Sequence, residues 1–103
     1  MKIIISNLVE DKLEEARQLL CQNNQLVPCI SFGIAISEDK HLDSNGEKIF
    51  IMGALDPEAK SGGRLPILFN KNSKSYALLP TDDILVFSEL HFDIRDGRIV
   101  NIA

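Results

Sequence analysis

The stretch LHFDIRDGRIVNI, residues 90–102, shows the clearest sidedness in the chain. Leu90, Phe92 and Ile94 alternate with His91, Asp93 and Arg95, so an extended backbone puts the apolar three on one face and the polar three on the other. Asp96 and Gly97 mark a turn, and the way it closes sets the register of the following strand. A two-residue loop pairs Arg95 with Arg98 and sends Val100 and Ile102 to the face opposite Phe92. A three-residue loop, with Gly97 left-handed in a bulge, pairs Phe92 with Val100 and Leu90 with Ile102. Register follows the buried face, so the bulged turn is expected.

The rest of the chain is read outward from that hairpin. Lys2 to Ser6 is a short β-branched strand followed at once by helix signals. Asn7, with Glu10 three residues on, fits a capping box. Val9, Leu13, Ala16 and Leu20 then fall on one helical face, and the helix is expected to end near Asn23 or Asn24. CISFGIAIS (29–37) is apolar on both alternating faces, as a central strand would be. A turn at Asn45–Gly46 then returns the chain through IFIMGAL as its antiparallel partner.

GALDPEAKSGGRLPILF (53–69) interrupts this alternation. Asp56 as a cap, Pro57 at the first helical position and Gly62 or Gly63 as a stop suggest one helical turn, while Pro66 suggests an edge strand or a strand beginning. NKNSK reads as a hairpin turn into SYALL, and PTDD as a turn before a strand ILVF. The fold class expected is α+β over a single domain, 1–103: one N-terminal amphipathic helix packed on a mainly antiparallel, curved sheet of about six to seven strands.

A net charge of −4, from 15 acidic against 11 basic residues, offers no general attraction to a phosphate backbone, and the cations form no stripe. No nucleic-acid partner is expected. The start MKIIIS is too short for a signal-peptide core and no run reaches bilayer length, so no membrane partner is expected and the location is read as cytoplasmic. Cys21 and Cys29 are then reduced thiols, and their spacing matches neither a redox pair nor a zinc half-site.

Few residues suggest chemistry. His91 and Asp93 share a face and could form an acid–base pair if that face lined a cleft; an exposed polar sheet face is the plainer reading. Cys29 could be a nucleophile only with His91 or a helix N-terminus beside it. Lys60, Gly62, Gly63 and Arg64 could hold a small anion, although KSGGR matches no phosphate-loop fingerprint; Arg95 is a further candidate binding residue. Asp56, Glu58, Asp82 and Asp83 lack calcium-loop spacing, His41 sits in a polar turn, and neither a metal nor a cofactor is expected. The tail FDIRDGRIVNI is similar to the closing strands of some NTF2-like domains, but the likeness stops there and the single long helix departs from that family.

Two functions follow as expectations. The first is a small acidic cytoplasmic interaction module, a subunit, adaptor or inhibitor with a protein partner or a homo-oligomeric state, acting through a sheet edge or the 54–65 loop. The alternative is a small-molecule-binding domain or enzyme using His91 and Asp93 on the sheet face.

Overall fold

A computed structural model describes residues 1–22, 25–34 and 48–103. The expected turn at Asn45–Gly46, His41 and the 35–37 end of the long strand lie outside them. The chain runs β1 (Lys2–Ile5), α1 (Asn7–Leu20), β2 (Val27–Ile34), β3 (Lys48–Leu55), β4 (Ile67–Lys71), β5 (Lys74–Leu78), α2 (Asp82–Leu85), β6 (Glu89–Arg95) and β7 (Arg98–Asn101). The strands form one sheet in the order β1-β6-β7-β3-β2-β5-β4.

That sheet is mixed rather than mainly antiparallel, because β1 pairs parallel with β6 and β2 parallel with β5. Tight turns force antiparallel neighbours, and the hairpins β4–β5 and β6–β7 obey them. The parallel pairs arise where the connections are long. Residues 56–66 join β3 to β4, two strands that point the same way with β2 and β5 between them. This connection must therefore cross a face of the sheet.

α1 starts one residue earlier than the capping pattern suggests. Ser6 is the N-cap, its hydroxyl accepting the Val9 amide at 3.2 Å, and Asn7 is already helical. The helix ends at Leu20, short of Asn23 and Asn24, which lie outside the described residues. Val9 and Leu13 are sealed against Ile30, Leu78, Leu90 and Phe92. A polar tie fixes where the helix lies: buried Tyr76 donates its hydroxyl to Glu14 (2.7 Å), and the Arg17 Nε donates to the same carboxylate (3.0 Å) while its guanidinium stands 5.4 Å from the Tyr76 ring centre. Burial pushes the Glu14 carboxyl up, but the hydrogen bonds from Tyr76 and Arg17 outweigh it, and its net pKa is lowered.

The closing hairpin takes the two-residue loop, not the bulged one. Arg95 pairs with Arg98, Ile94 with Ile99 and Phe92 with Asn101. Asp96 and Gly97 are both left-handed (φ 52° and 73°), as a type I′ turn requires, and aspartate tolerates that region well enough to close the loop without a bulge. The inward set is therefore Leu90, Phe92, Ile94 and Ile99; Val100 faces outward and Ile102 is exposed. Asn101 is tolerated opposite Phe92 because its Oδ1 accepts the His91 amide (2.9 Å), while the Ile102 amide still donates to the His91 carbonyl (2.8 Å).

Other expected elements change type. ILVF is no strand: Thr81 stands at the N-cap position of α2, its carbonyl accepting the Ile84 and Leu85 amides while its hydroxyl makes no cap bond, and Ile84 alone of the four is buried. Pro57 lies in a turn, where the Asp56 carboxylate accepts the Glu58 amide, rather than in a helix. Pro66 directly precedes β4, an edge strand, as its missing donor requires. The two edges, β1 and β4, approach without closing. Lys71 Nζ reaches across to the Ile5 carbonyl (2.8 Å) and Asn7 Oδ1 (3.0 Å).

Three predictions test this architecture. Gly97→Ala, forced into a left-handed turn, lowers stability by about 1 kcal/mol in urea unfolding. Tyr76→Phe costs about 2 kcal/mol by losing a charge-assisted hydrogen bond. Because the Glu14 carboxyl sits below its ordinary 4.5 in the fold, its contribution is complete above that pH and is lost as pH falls through the folded value; Glu14→Gln flattens the acid limb of stability against pH.

Candidate functional site

The residues singled out in the sequence do not converge. His91, Asp93 and Arg95 share the outward face of β6, as alternation requires. However, His91 Nε2 contacts Glu89 (2.8 Å) and not Asp93. Asp93 accepts its neighbour's Ile94 amide (2.9 Å) and lies 3.5 Å from Arg95, and that amide above all, with Ser6, holds its carboxyl below the ordinary value. The hydrogen bond to His91, helped by Lys2, likewise lowers Glu89. These are cross-strand and neighbour pairs on a solvated face, and none of the three residues lines the groove described below.

Cys29 lies on β2, separated from β6 by β3 and β7, or about 14 Å at ordinary strand spacing. Burial above all, with Cys21 nearby, pushes the thiol up to about 11 despite the hydrogen bond to the Gly53 backbone. A thiolate there is disfavoured. Gly62 and Gly63 are left-handed (φ 59° and 78°) in a two-residue turn closed by Ser61 and Arg64, whose amides bond to each other's carbonyls. Arg64 is committed to Asp82 (2.6 Å) and Asp83 to Lys48 (2.6 Å), so the KSGGR loop presents Lys60 as its available cation.

Two features outside those candidates stand out. The first is a groove of about 720 Å³ where β3 and β7 meet. β3 is paired with β2 along its whole length but with β7 only at Phe50 and Ile99. The strands splay there, and Phe32, Phe50, Met52, Ile94 and Ile99 form the floor, packed on the core from below but only partly buried. Phe50 links the floor to the core, its ring 4.6 Å from Phe32 and 5.0 Å edge-on to Phe92. The charged lining residues are Lys12 from α1, Lys48 from β3 and Arg98 from β7.

The second is apolar and faces outward. Leu85, Val86 and Phe87 follow one another with 44, 79 and 43% of their surface exposed. The Arg64–Asp82 ion pair brings exposed Leu65 to the start of α2, and the bond from Lys2 N–H to the Ser88 carbonyl ties the start of the chain, with exposed Met1, to the residue after Phe87. Three large apolar residues in sequence on a surface are not accounted for by the usual scatter.

Sequence reading missed both. The run ILVF was visible, but as a strand it would have buried every second residue; the helical turn buries one and exposes the rest. Nothing in the sequence marks the β3–β7 seam, since its paired residues, Phe50 and Ile99, lie far apart in the chain and meet only through sheet order. No protein-family model matches the chain, and neither does any curated protein or solved structure.

The thiols give a direct check. Cys29 resists a thiol reagent at pH 8 until denaturant is added, while the partly exposed Cys21 is modified first; mass spectrometry of the labelled protein reads the order.

Proposed function

We propose that the protein is a small interaction module of the cytoplasm that docks another protein through the apolar surface around Leu85, Val86 and Phe87. The observation that supports this is Val86, 79% exposed in the middle of a run of three large apolar side chains, where burial against a partner recovers about 1.5–3 kcal/mol for each side chain fully covered. Leu65, and Leu68 on the edge strand β4, extend the apolar area toward a sheet boundary. The 54–65 loop contributes through Leu65 rather than through its glycines. Among the described residues no helix is long and apolar enough to cross a membrane.

The alternative, an enzyme or small-molecule site on His91 and Asp93, draws no support from their geometry, because that face is solvated and its groups are paired locally. A small-molecule role is better supported by the β3–β7 groove.

Self-association is the direct case, and light scattering over a concentration series tests it. A dimer that Val86→Asp and Phe87→Asp convert to monomer, with thermal stability within about 0.5 kcal/mol of the parent, supports docking between copies. A parent monomeric throughout directs the surface to a different protein, identified by cross-linking through a photoreactive group at 86. A monomer that cross-links nothing overturns the proposal.

A further inference from the structure

We propose that the slot between the two edge strands, β1 and β4, takes the C-terminal end of another polypeptide as an added strand, with its terminal carboxylate on the Lys71 ammonium. The slot holds about 310 Å³ and is lined by Ile3, Ile4 and Ile5 on one side and Phe69, Asn70 and Lys71 on the other. Three residues of strand span about 10 Å, so the space is about 30 Å² in section, too narrow for a helix and suited to one extended backbone.

The backbone of the two walls says what enters. Lys2 and Ser6 send their amides to the Ser88 and Phe92 carbonyls, so by alternation Ile3 and Ile5 turn their N–H and C=O groups away from β6 and toward the slot. On β4, Lys71 pairs with Lys74 across a two-residue turn, and Phe69 and Ile67 follow as the bonded pairs with β5. The N–H and C=O groups of Leu68 and Asn70 are left facing the slot. Both walls present strand-forming groups, and no residue of β1 pairs with one of β4. A guest between them must have both of its own edges free. Every strand among the described residues is already paired on at least one side, so the strands of a second copy do not fit, whereas an extended tail does. Ile5 and Phe69 are buried on the inner face and Ile4 and Leu68 exposed on the outer, so apolar guest side chains meet apolar neighbours on both.

Charge sets the direction. Following the pairings across the sheet, β1 and β4 run the same way, and Ile5 and Lys71 stand at their C-terminal ends. Half-buried Lys71 donates to the Ile5 carbonyl (2.8 Å) and to Asn7 Oδ1 (3.0 Å), both neutral, and makes no ion pair among the described residues. Glu10, one turn along α1, is taken by Asn72 (2.9 Å). An ammonium has three protons, and two are used. A guest that runs with its neighbours ends at this third proton and offers a carboxylate in line with its backbone; an acidic side chain projects above or below the sheet instead.

The inference is independent of the 85–87 surface. The probe is a fluorescein-labelled peptide of alternating threonine and valine with a free C-terminus, titrated with the whole protein and read by fluorescence anisotropy. One saturable site is expected. The same peptide ending in a carboxamide, with or without glutamate as its last residue, binds about tenfold more weakly, in keeping with the loss of one charge-assisted contact. Lys71→Ala weakens the carboxylate peptide by the same factor and leaves the carboxamide peptide unchanged. Leu68→Pro removes an edge donor that β5 does not use and abolishes binding. The melting curve shows whether these variants are folded, and the comparison of the peptides on the parent protein carries the test if they are not. In hydrogen exchange the peptide slows the Ile3, Leu68 and Asn70 amides. Val86→Asp leaves the affinity unchanged. A lysine that only guards an edge against pairing predicts the opposite, tighter binding once Lys71 is removed. The proposal is overturned by that result, by a carboxamide peptide that binds as tightly as the carboxylate, by protection confined to other strands, by loss of the site in Val86→Asp, or by the absence of saturable binding.

Discussion

A tyrosine hydroxyl sealed inside a protein needs a partner, and in this fold the need is met from the helix. Tyr76 is fully buried on β5 and donates to Glu14, which also takes the Arg17 guanidinium and lies 3.4 Å from Lys74. Apolar contacts alone allow a helix to slide or rotate on a sheet, because burial has no direction. The Tyr76–Glu14 bond has direction, and it fixes α1 over one part of the inner face. Arg17 reaches the Ser75 carbonyl and Glu10 meets Asn72, so the helix is held along the β4–β5 turn.

That placement determines what stays uncovered. The helix lies over β2 and β3 and reaches the groove through Lys12, while the inner side chains of β3 and β7 beyond it are packed on the core but only partly buried. The sheet contributes to the same opening. β7 is four residues long and leaves β6 through a tight turn whose handedness matches strand twist, so it follows β6 closely and touches β3 at one residue pair. The two outer strands meet a related difficulty. β1 and β4 are edges that a curled sheet brings near each other, and Lys71 spans the space between them with one ammonium group rather than a ladder.

The surfaces then divide by chemistry. The outer face of β6 carries Glu89, His91, Asp93 and Arg95, each satisfied by a neighbour, and such exposed pairs contribute little to stability. The unsatisfied features are an apolar run at 85–87 and cations beside an apolar groove. The apolar run is costly to leave facing water without a role, and both features lie away from the residue types that first suggest catalysis.

The pattern of residues alone determined the local structure. The 3.6-residue spacing of Val9 and Leu13, the alternation of Leu90, Phe92 and Ile94, the turns at 72–73 and 96–97 and the strand start after Pro66 are all set by neighbours a few positions apart, where backbone sterics and side-chain direction act directly. The register after Gly97 was misjudged because a bulge and a type I′ turn are distinguished by whether Asp96 goes left-handed, a choice of about 1 kcal/mol. ILVF was misjudged for a related reason: four apolar residues fit a buried strand or a helical turn equally well until the core shows room for Ile84 only. Tertiary structure decided the parallel pairings, the crossover at 56–66, the seam between β3 and β7 and the exposure of Val86. These depend on which distant segments lie side by side, and that is settled by the shared burial of residues whose spacing in the chain carries no local signal.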